Sequence, residues 1–261
     1  MAPAFVDCDG RAPSPLCPPM ISCAFHDNLA IVTIERDGAR NAFPISGWNA
    51  LAEVGEEIGV SDARAVVLRS GMPGVFSAGA DLKEFRQLVS DPAMRTRFRM
   101  AMSAGIEGIA ALPMPVIAAV DGGCFGAAVA VTLACDIVVA GDDAVFATTP
   151  AKLGIGYPAS DVARLKARVG VGQASLMLLT GTRIDADEAA RIGLAQRRVT
   201  DAEAAAMELA GAIASNAPDA VRLLKRVLRD PSAAEHDTAF EDTFGSPAFA
   251  ARLDAFLGGA R

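Results

Sequence analysis

The spacing of apolar residues changes along this chain, and each change marks an element. Ala30-Ile-Val-Thr-Ile-Glu35 alternates and is β-branched, which predicts a strand. From Ser46 to Val60 the spacing turns helical, with Trp48, Leu51, Val54 and Ile58 on one side. Ala65-Val-Val-Leu-Arg69 is a short continuous apolar run and reads as a buried strand. The chain then breaks at Gly71-Met-Pro-Gly74 and becomes helical from Leu82. Asp91-Pro92 interrupts that stretch, which resumes to about Leu112 and ends at Pro113 and Pro115.

The middle of the chain repeats the design. Val116–Val120 predicts a strand, Asp121-Gly-Gly-Cys-Phe-Gly126 a turn, and Ala127–Ala134 a helix of small residues. Asp136–Ala140 and Val145–Ala147 predict further strands. Helices follow at 160–169, 173–180, 185–193, 201–215, 217–228 and 247–257, with a short strand over Ala195–Val199. Strands and helices alternate early and helices dominate late, so the fold class is α/β with a helical C-terminal layer. Residues 1–20 carry five prolines without a periodic pattern and are expected to form a flexible tail. Residues 21–200 form the expected core and 201–261 the helical C-terminal region.

Composition narrows the function classes. Of the 261 residues, 52% are hydrophobic, enough for a full core. The net charge of -7 argues against a general nucleic-acid surface, which needs clustered positive charge. Cys8, Cys17, Cys23, Cys124 and Cys135 show neither metal-ligand spacing nor a disulfide framework. With Asp7, Asp9 and prolines near the start instead of a basic, apolar leader, a reduced cytoplasmic protein is expected. Val116–Ala140 is strongly apolar, but Asp121, Asp136 and three glycines interrupt it; no membrane span is expected there.

Two segments offer chemistry: Phe76-Ser-Ala-Gly-Ala-Asp-Leu-Lys-Glu-Phe85 and Asp121–Ala128. Each runs from a strand through a small-residue turn into a helix. Such a turn leaves backbone N–H groups able to meet an oxygen, and small side chains let a ligand come close. If the turns adjoin in space, the amides of Ala78 and Ala127 form an oxyanion hole, each donor being commonly worth about 10²–10³ in rate. On spacing alone, two tight turns in an alanine-rich sequence are the better account of both.

Phe76-Ser-Ala-Gly-Ala-Asp-Leu-Lys-Glu84, Pro115-Val-Ile-Ala-Ala-Val-Asp-Gly122 and Cys135-Asp136 resemble the enoyl-CoA hydratase/isomerase (crotonase) superfamily. Asn41-Ala42 and Leu179-Thr-Gly-Thr-Arg-Ile-Asp-Ala186 extend the resemblance, which covers about residues 22 to 257. It implies a spiral of ββα units with a helical trimerisation region, and a homo-oligomer, either a trimer or a dimer of trimers. It implies an acyl-CoA thioester as substrate, with coenzyme A part of that substrate and no separate cofactor or metal. Ala78 and Ala127 would supply the oxyanion amides that stabilise a thioester enolate. Ala39, Ala42, Gly79, Ala80, Asp81, Leu82, Gly126, Thr149, Pro150 and Tyr157 would line the substrate site with them.

The family's hydratases use two glutamates, and by motif alignment these positions hold Ala130 and Pro150. Neither side chain moves a proton, whereas positioned acid–base groups each supply typically about 10²–10⁴-fold. Ordinary hydration is therefore not expected. The loop Thr148–Tyr157 resembles that of methylmalonyl-CoA decarboxylases, with Thr149 and Tyr157 at substrate-facing positions and Ala80 where those enzymes have His. Tyr157, the only tyrosine, and Asp161 are the candidate proton carriers. Three readings remain: an enolate-forming member of the family, a decarboxylase- or isomerase-like variant, and an acyl-CoA-binding protein without rapid turnover.

Overall fold

The computed structural model describes residues 20–258. The expected N-terminal tail, apart from Met20, lies outside them. β1 (Ile21–His26) and β2 (Leu29–Ile34) form an antiparallel hairpin. β2 then pairs in parallel with β3 (Ala65–Ser70), and β5 (Val116–Val120), β7 (Ile137–Gly141) and β10 (Arg197–Val199) extend the same sheet in the order β1-β2-β3-β5-β7-β10. A second sheet of very short strands has the order β4 (Val75–Ser77), β6 (Gly123–Phe125), β8 (Val145–Ala147), β9 (Ile184–Asp185).

The parallel strands β3, β5 and β7 are largely buried on both faces, which is why their sequences run apolar instead of alternating. Val66, Leu68, Val116, Ala118, Val120, Val138 and Ala140 face the larger core. There they meet α1 (Ile45–Gly59), α3 (Pro92–Ala111) and α4 (Ala127–Ala134). Ala65, Val67, Ile117, Ala119 and Val139 face the other way, onto Ala202, Ala206 and Ala210 of α7 (Ala202–Ala214). Asp91 caps α3 through the amides of Ala93 and Met94 with Pro92 at its first turn, so the break at Asp91-Pro92 separates α3 from α2 (Leu82–Ser90).

The remaining helices are α5 (Ala159–Thr180), α6 (Ala186–Arg191), α8 (Pro218–Arg229), α9 (Glu235–Phe244) and α10 (Pro247–Gly258). α5 is two helical segments meeting at Gly170, whose φ of 77° and ψ of 163° are non-helical. Several elements differ from the sequence reading. β1 has an exposed outer face and no apolar alternation, α9 is a polar helix, and β4 and β6 are three-residue strands inside segments expected to be loop and turn. Such short strands exist only because each pairs with a distant one, a condition no local pattern expresses.

Candidate active site

The two small-residue turns stand side by side. β4 and β6 pair in parallel, Val75 opposite Gly123 and Ser77 opposite Cys124, so the segments that leave them emerge together. Gly79 has φ +86°, and a Cβ added there would lie 2.9 Å from the Ala127 nitrogen and collide with the Phe125 carbonyl. Only glycine permits that approach. Gly126, with φ 55° and ψ -122°, likewise takes a conformation open to glycine alone, and it turns the chain sharply into α4. Its N–H donates to the Ala147 carbonyl at 2.8 Å.

Ala127 begins α4, so its N–H has no intrahelical acceptor, and no other acceptor meets it among the described residues. It points from the positive end of the helix dipole. The amide of Ala78 is different. It donates to the Arg40 carbonyl at 2.9 Å, while the Gly79 N–H donates to Ser77 Oγ at 3.0 Å. The first turn therefore does not present a free amide at Ala78, which corrects the expectation for that segment. The segment Arg36–Phe43 lies against it as a strap.

That strap contains both Ala39 and Ala42, the Ala42 N–H donating to the Ala39 carbonyl at 3.0 Å. Arg36 clamps it, donating to the Ala42 carbonyl and to Asp81 Oδ2, each at 2.7 Å. Asp81 also caps α2 by accepting from the Lys83 N–H at 2.9 Å. Burial raises the Asp81 pKa, but the Arg36 and Lys83 bonds with their charges outweigh it and hold the carboxyl below its ordinary value. Asp81 is thus a fixture of the loop. Ala80 bridges to Phe43, and Leu82 is exposed at the start of α2.

On the other side, the Tyr157 hydroxyl donates to the Gly126 carbonyl at 2.9 Å. Burial, followed by the nearby Asp161 charge, pushes its phenol well above the ordinary tyrosine range. Thr149 Oγ1 lies 3.7 Å from where a Cβ of Gly126 would sit, so a second hydroxyl flanks the same turn. Pro150 opens a short 3₁₀ turn, Pro150–Leu153, and Ala130 is wholly buried in α4.

Asp161, in the first turn of α5, is only 2% exposed. Burial raises its pKa, partly offset by the Arg164 charge and increased by Glu107. Arg164 reaches both carboxylates, Asp161 at 3.3 Å and Glu107 at 2.5 Å.

A groove of about 310 Å³ runs along the outer side of the first turn, lined by Arg40, Ala78, Phe125 and Arg183 among others. The Arg183 guanidinium stacks over Phe125 at 5.4 Å from the ring centre. Among the described residues no cluster of three or more His, Cys, Asp or Glu is arranged to hold a metal. No helix among them is long and apolar enough to cross a membrane.

The sequence profile described as enoyl-CoA hydratase/isomerase matches residues 24–244. The chain belongs to the enoyl-CoA hydratase/isomerase family. The short-chain-enoyl-CoA hydratase of Clostridium acetobutylicum is 34% identical over 224 residues, covering 85% of this chain and 84% of the relative. Among solved structures, the enoyl-CoA hydratase of Bacillus anthracis superposes with a TM-score of 0.85 at 29% identity, over 92% of this chain and 96% of its own. An enoyl-CoA hydratase/carnithine racemase of Magnetospirillum magneticum gives 0.88 at 28%, over 93% and 94%. The two sheets and their helices therefore form the crotonase fold.

Within this family member, the sequence reading missed how the first turn is held. Arg36, the Asn41 side chain and Ser77 do that work. Asn41-Ala42 was visible only as a motif, and no local signal shows that its side chain reaches three other segments.

Proposed function

We propose that this chain is an acyl-CoA enzyme that passes through a thioester enolate, with the amide of Ala127 facing the enolate oxygen and Tyr157 supplying a proton. The observation that carries the reading is the Tyr157 hydroxyl bonded to Gly126, the residue just before the unpartnered Ala127 amide. Donors already fixed where negative charge develops are the largest single contribution in this kind of chemistry. The Ala78 N–H is already taken by the Arg40 carbonyl and is not among these donors.

A phenol whose pKa is pushed up by burial stays protonated, so Tyr157 serves as an acid and not as a base. That suits a reaction whose enolate arises without proton abstraction. Loss of carboxylate from a 2-carboxyacyl thioester is one: the C–C bond breaks, CO₂ leaves, and the electron pair passes into the thioester as enolate. Tyr157 then gives its proton to the α-carbon and regains one from water. The Thr149 hydroxyl beside the same turn favours this decarboxylase-like reading. Ala80, where the decarboxylases it resembles carry His, marks a difference in how the carboxylate is held. A double-bond shift would require a base, and Asp161, paired with Arg164, is the candidate.

Hydration is disfavoured on this reading, because Ala130 and Pro150 stand at the positions aligned with the hydratase glutamates and neither carries a proton. We expect a homo-oligomer, since Phe244, Phe256 and Leu257 on α9 and α10 are exposed; light scattering checks it. The deciding experiment offers purified full-length protein both a 2-carboxyacyl thioester such as methylmalonyl-CoA and crotonyl-CoA. CO₂ release from the first, with the enoyl absorbance of the second retained, is expected. Turnover unchanged by substitution of both Tyr157 and Asp161 overturns the proton assignment. Absence of any CoA-thioester binding by calorimetry overturns the whole reading.

A further inference from the structure

The peptide group between Gly126 and Ala127 is bonded on one side and open on the other. A trans peptide is planar, with its carbonyl and N–H pointing in opposite directions. The carbonyl of this group accepts from the Tyr157 hydroxyl at 2.9 Å and from the Val129 N–H at 3.1 Å. Its N–H, that of Ala127, meets no acceptor among the described residues. We infer that Tyr157 is also a positioning residue for the oxyanion site: its hydroxyl orients and polarises the peptide group whose N–H faces the thioester oxygen. This rests on the reading that the Ala127 amide receives that oxygen.

In a regular α-helix the N-cap carbonyl accepts from the N–H four residues on. The carbonyl of Gly126, the N-cap of α4, instead takes the nearer Val129 N–H and the phenol. Two donors occupy both lone pairs of that oxygen. Drawing electron density onto the oxygen raises the double-bond character of the C–N link and leaves the N–H more positive. Chained hydrogen bonds strengthen one another in this way by about 10–30% per bond. The dipole of α4 acts on the Ala127 N–H in the same direction. Orientation needs the tie as well. Gly126, with φ 55° and ψ -122°, has no side chain to restrict its backbone. It is held at its two ends, by its own N–H on the Ala147 carbonyl at 2.8 Å and by the phenol on its carbonyl. Tyr157 is itself fixed, because its ring packs against the core that contains Ala130. The tie acts while charge builds on the thioester oxygen, before the proton moves to carbon.

Tyr157 is the only tyrosine in the chain, so growth on ring-fluorinated tyrosine exchanges this phenol alone for a more acidic, stronger donor. The test is infrared difference spectra of butyryl-CoA carrying ¹³C at the thioester carbonyl, bound to the full-length protein. The wild type is expected to shift the carbonyl band to lower frequency. Tyr157→Phe is expected to lose about 10–30% of that shift, and the fluorinated protein to exceed it. A direct bond from the phenol to the thioester would act in the same sense, so the ligand-free protein is read too. Labelling with ¹³C-carbonyl glycine and ¹⁵N-alanine selects peptides in which glycine precedes alanine. Among them the Ala127 amide proton is expected to move upfield in Tyr157→Phe and downfield on fluorination. A merely structural role would lower the melting temperature and leave the fluorinated protein's spectra at their wild-type positions. An unmoved Ala127 amide, or a full wild-type band shift in folded Tyr157→Phe, overturns the inference and leaves the oxyanion reading standing. No band shift in the wild type overturns both. Should Tyr157→Phe not fold, the fluorinated protein, which keeps ring and hydroxyl, decides: a larger shift with a moved amide supports the inference, and unchanged spectra overturn it.

Discussion

Replacing Tyr157 with Phe removes one oxygen and leaves the ring in place. In the folded protein that hydroxyl donates to the Gly126 carbonyl, and this carbonyl also accepts from the Val129 N–H at 3.1 Å. No polar group is orphaned, so the stability cost is that of an ordinary hydrogen bond, about 0.5–1.5 kcal/mol. For a chain of this length each kcal/mol moves Tm by about 2–4 °C, giving a fall of about 1–6 °C. The catalytic cost is expected to be far larger. Loss of a positioned acid lowers kcat by about 10²–10⁴, equivalent to about 2.7–5.4 kcal/mol of barrier. KM is expected to stay within about threefold, because the proton is transferred only after the thioester is bound. The assay is steady-state release of CO₂ from the 2-carboxyacyl thioester, beside a thermal melt of the same preparation. A kcat within threefold of wild type, in a variant whose melt is lowered as calculated, refutes the assignment of Tyr157.

Asp161→Asn tests a sign. The folded-state pKa of Asp161 is raised, so the folded protein holds this proton more tightly than the unfolded chain. Its stability contribution is complete below about pH 4 and is lost as pH rises through the raised value; urea titrations should show the variant gaining on wild type over that range. Asp81 has the opposite sign: its pKa is depressed, so its contribution is present above about pH 4 and lost as pH falls through the folded value, and Asp81→Asn should flatten acid denaturation. Gly79→Ala forces a side chain onto φ +86° and against the Ala127 nitrogen at 2.9 Å. A cost of about 2–5 kcal/mol in chemical denaturation is expected, with loss of thioester binding by calorimetry. Lys225 is 5% exposed and donates to both the Met114 carbonyl and Asp136 at 2.6 Å. Lys225→Met breaks this pair and should cost about 3 kcal/mol in urea denaturation, the lower end because Arg229 remains near Asp136 at 3.6 Å.

What the sequence disclosed depended on the range of the interaction. The cap at Asp91 with Pro92 behind it is a local device, and it divides α2 from α3 as read. The continuous apolar runs of β3, β5 and β7 are legible because a strand buried on both faces cannot carry polar residues. The adjacency of the two turns was open on spacing, since β4–β6 pairing is long-range. The strap was not legible at all. Its bonds join residues 45 positions apart at Arg36–Asp81 and 29 apart at Asn41–Ser70, and neither partner's neighbourhood signals the other. The same holds for the Arg40 carbonyl on Ala78, a backbone contact that leaves no mark in residue identity.

That last distinction explains why the fold can be certain while the reaction varies. The group proposed to receive the enolate charge at Ala127 is a backbone amide, present whatever side chain occupies that position. It fails only if a position such as Gly79 or Gly126 loses the freedom its turn requires. The groups that move protons are side chains and can be exchanged without disturbing the turns. Alanine at 130 packs into α4 as readily as a larger residue would protrude from it, and proline at 150 starts a 3₁₀ turn that any first-turn residue can start. Charge stabilisation is thus built into the architecture, and proton delivery is appended to it. On the proposed reading the Ala127 amide holds the thioester carbonyl. On the same reading Tyr157, bonded to Gly126 from the loop before α5, supplies the proton to the carbon beside it.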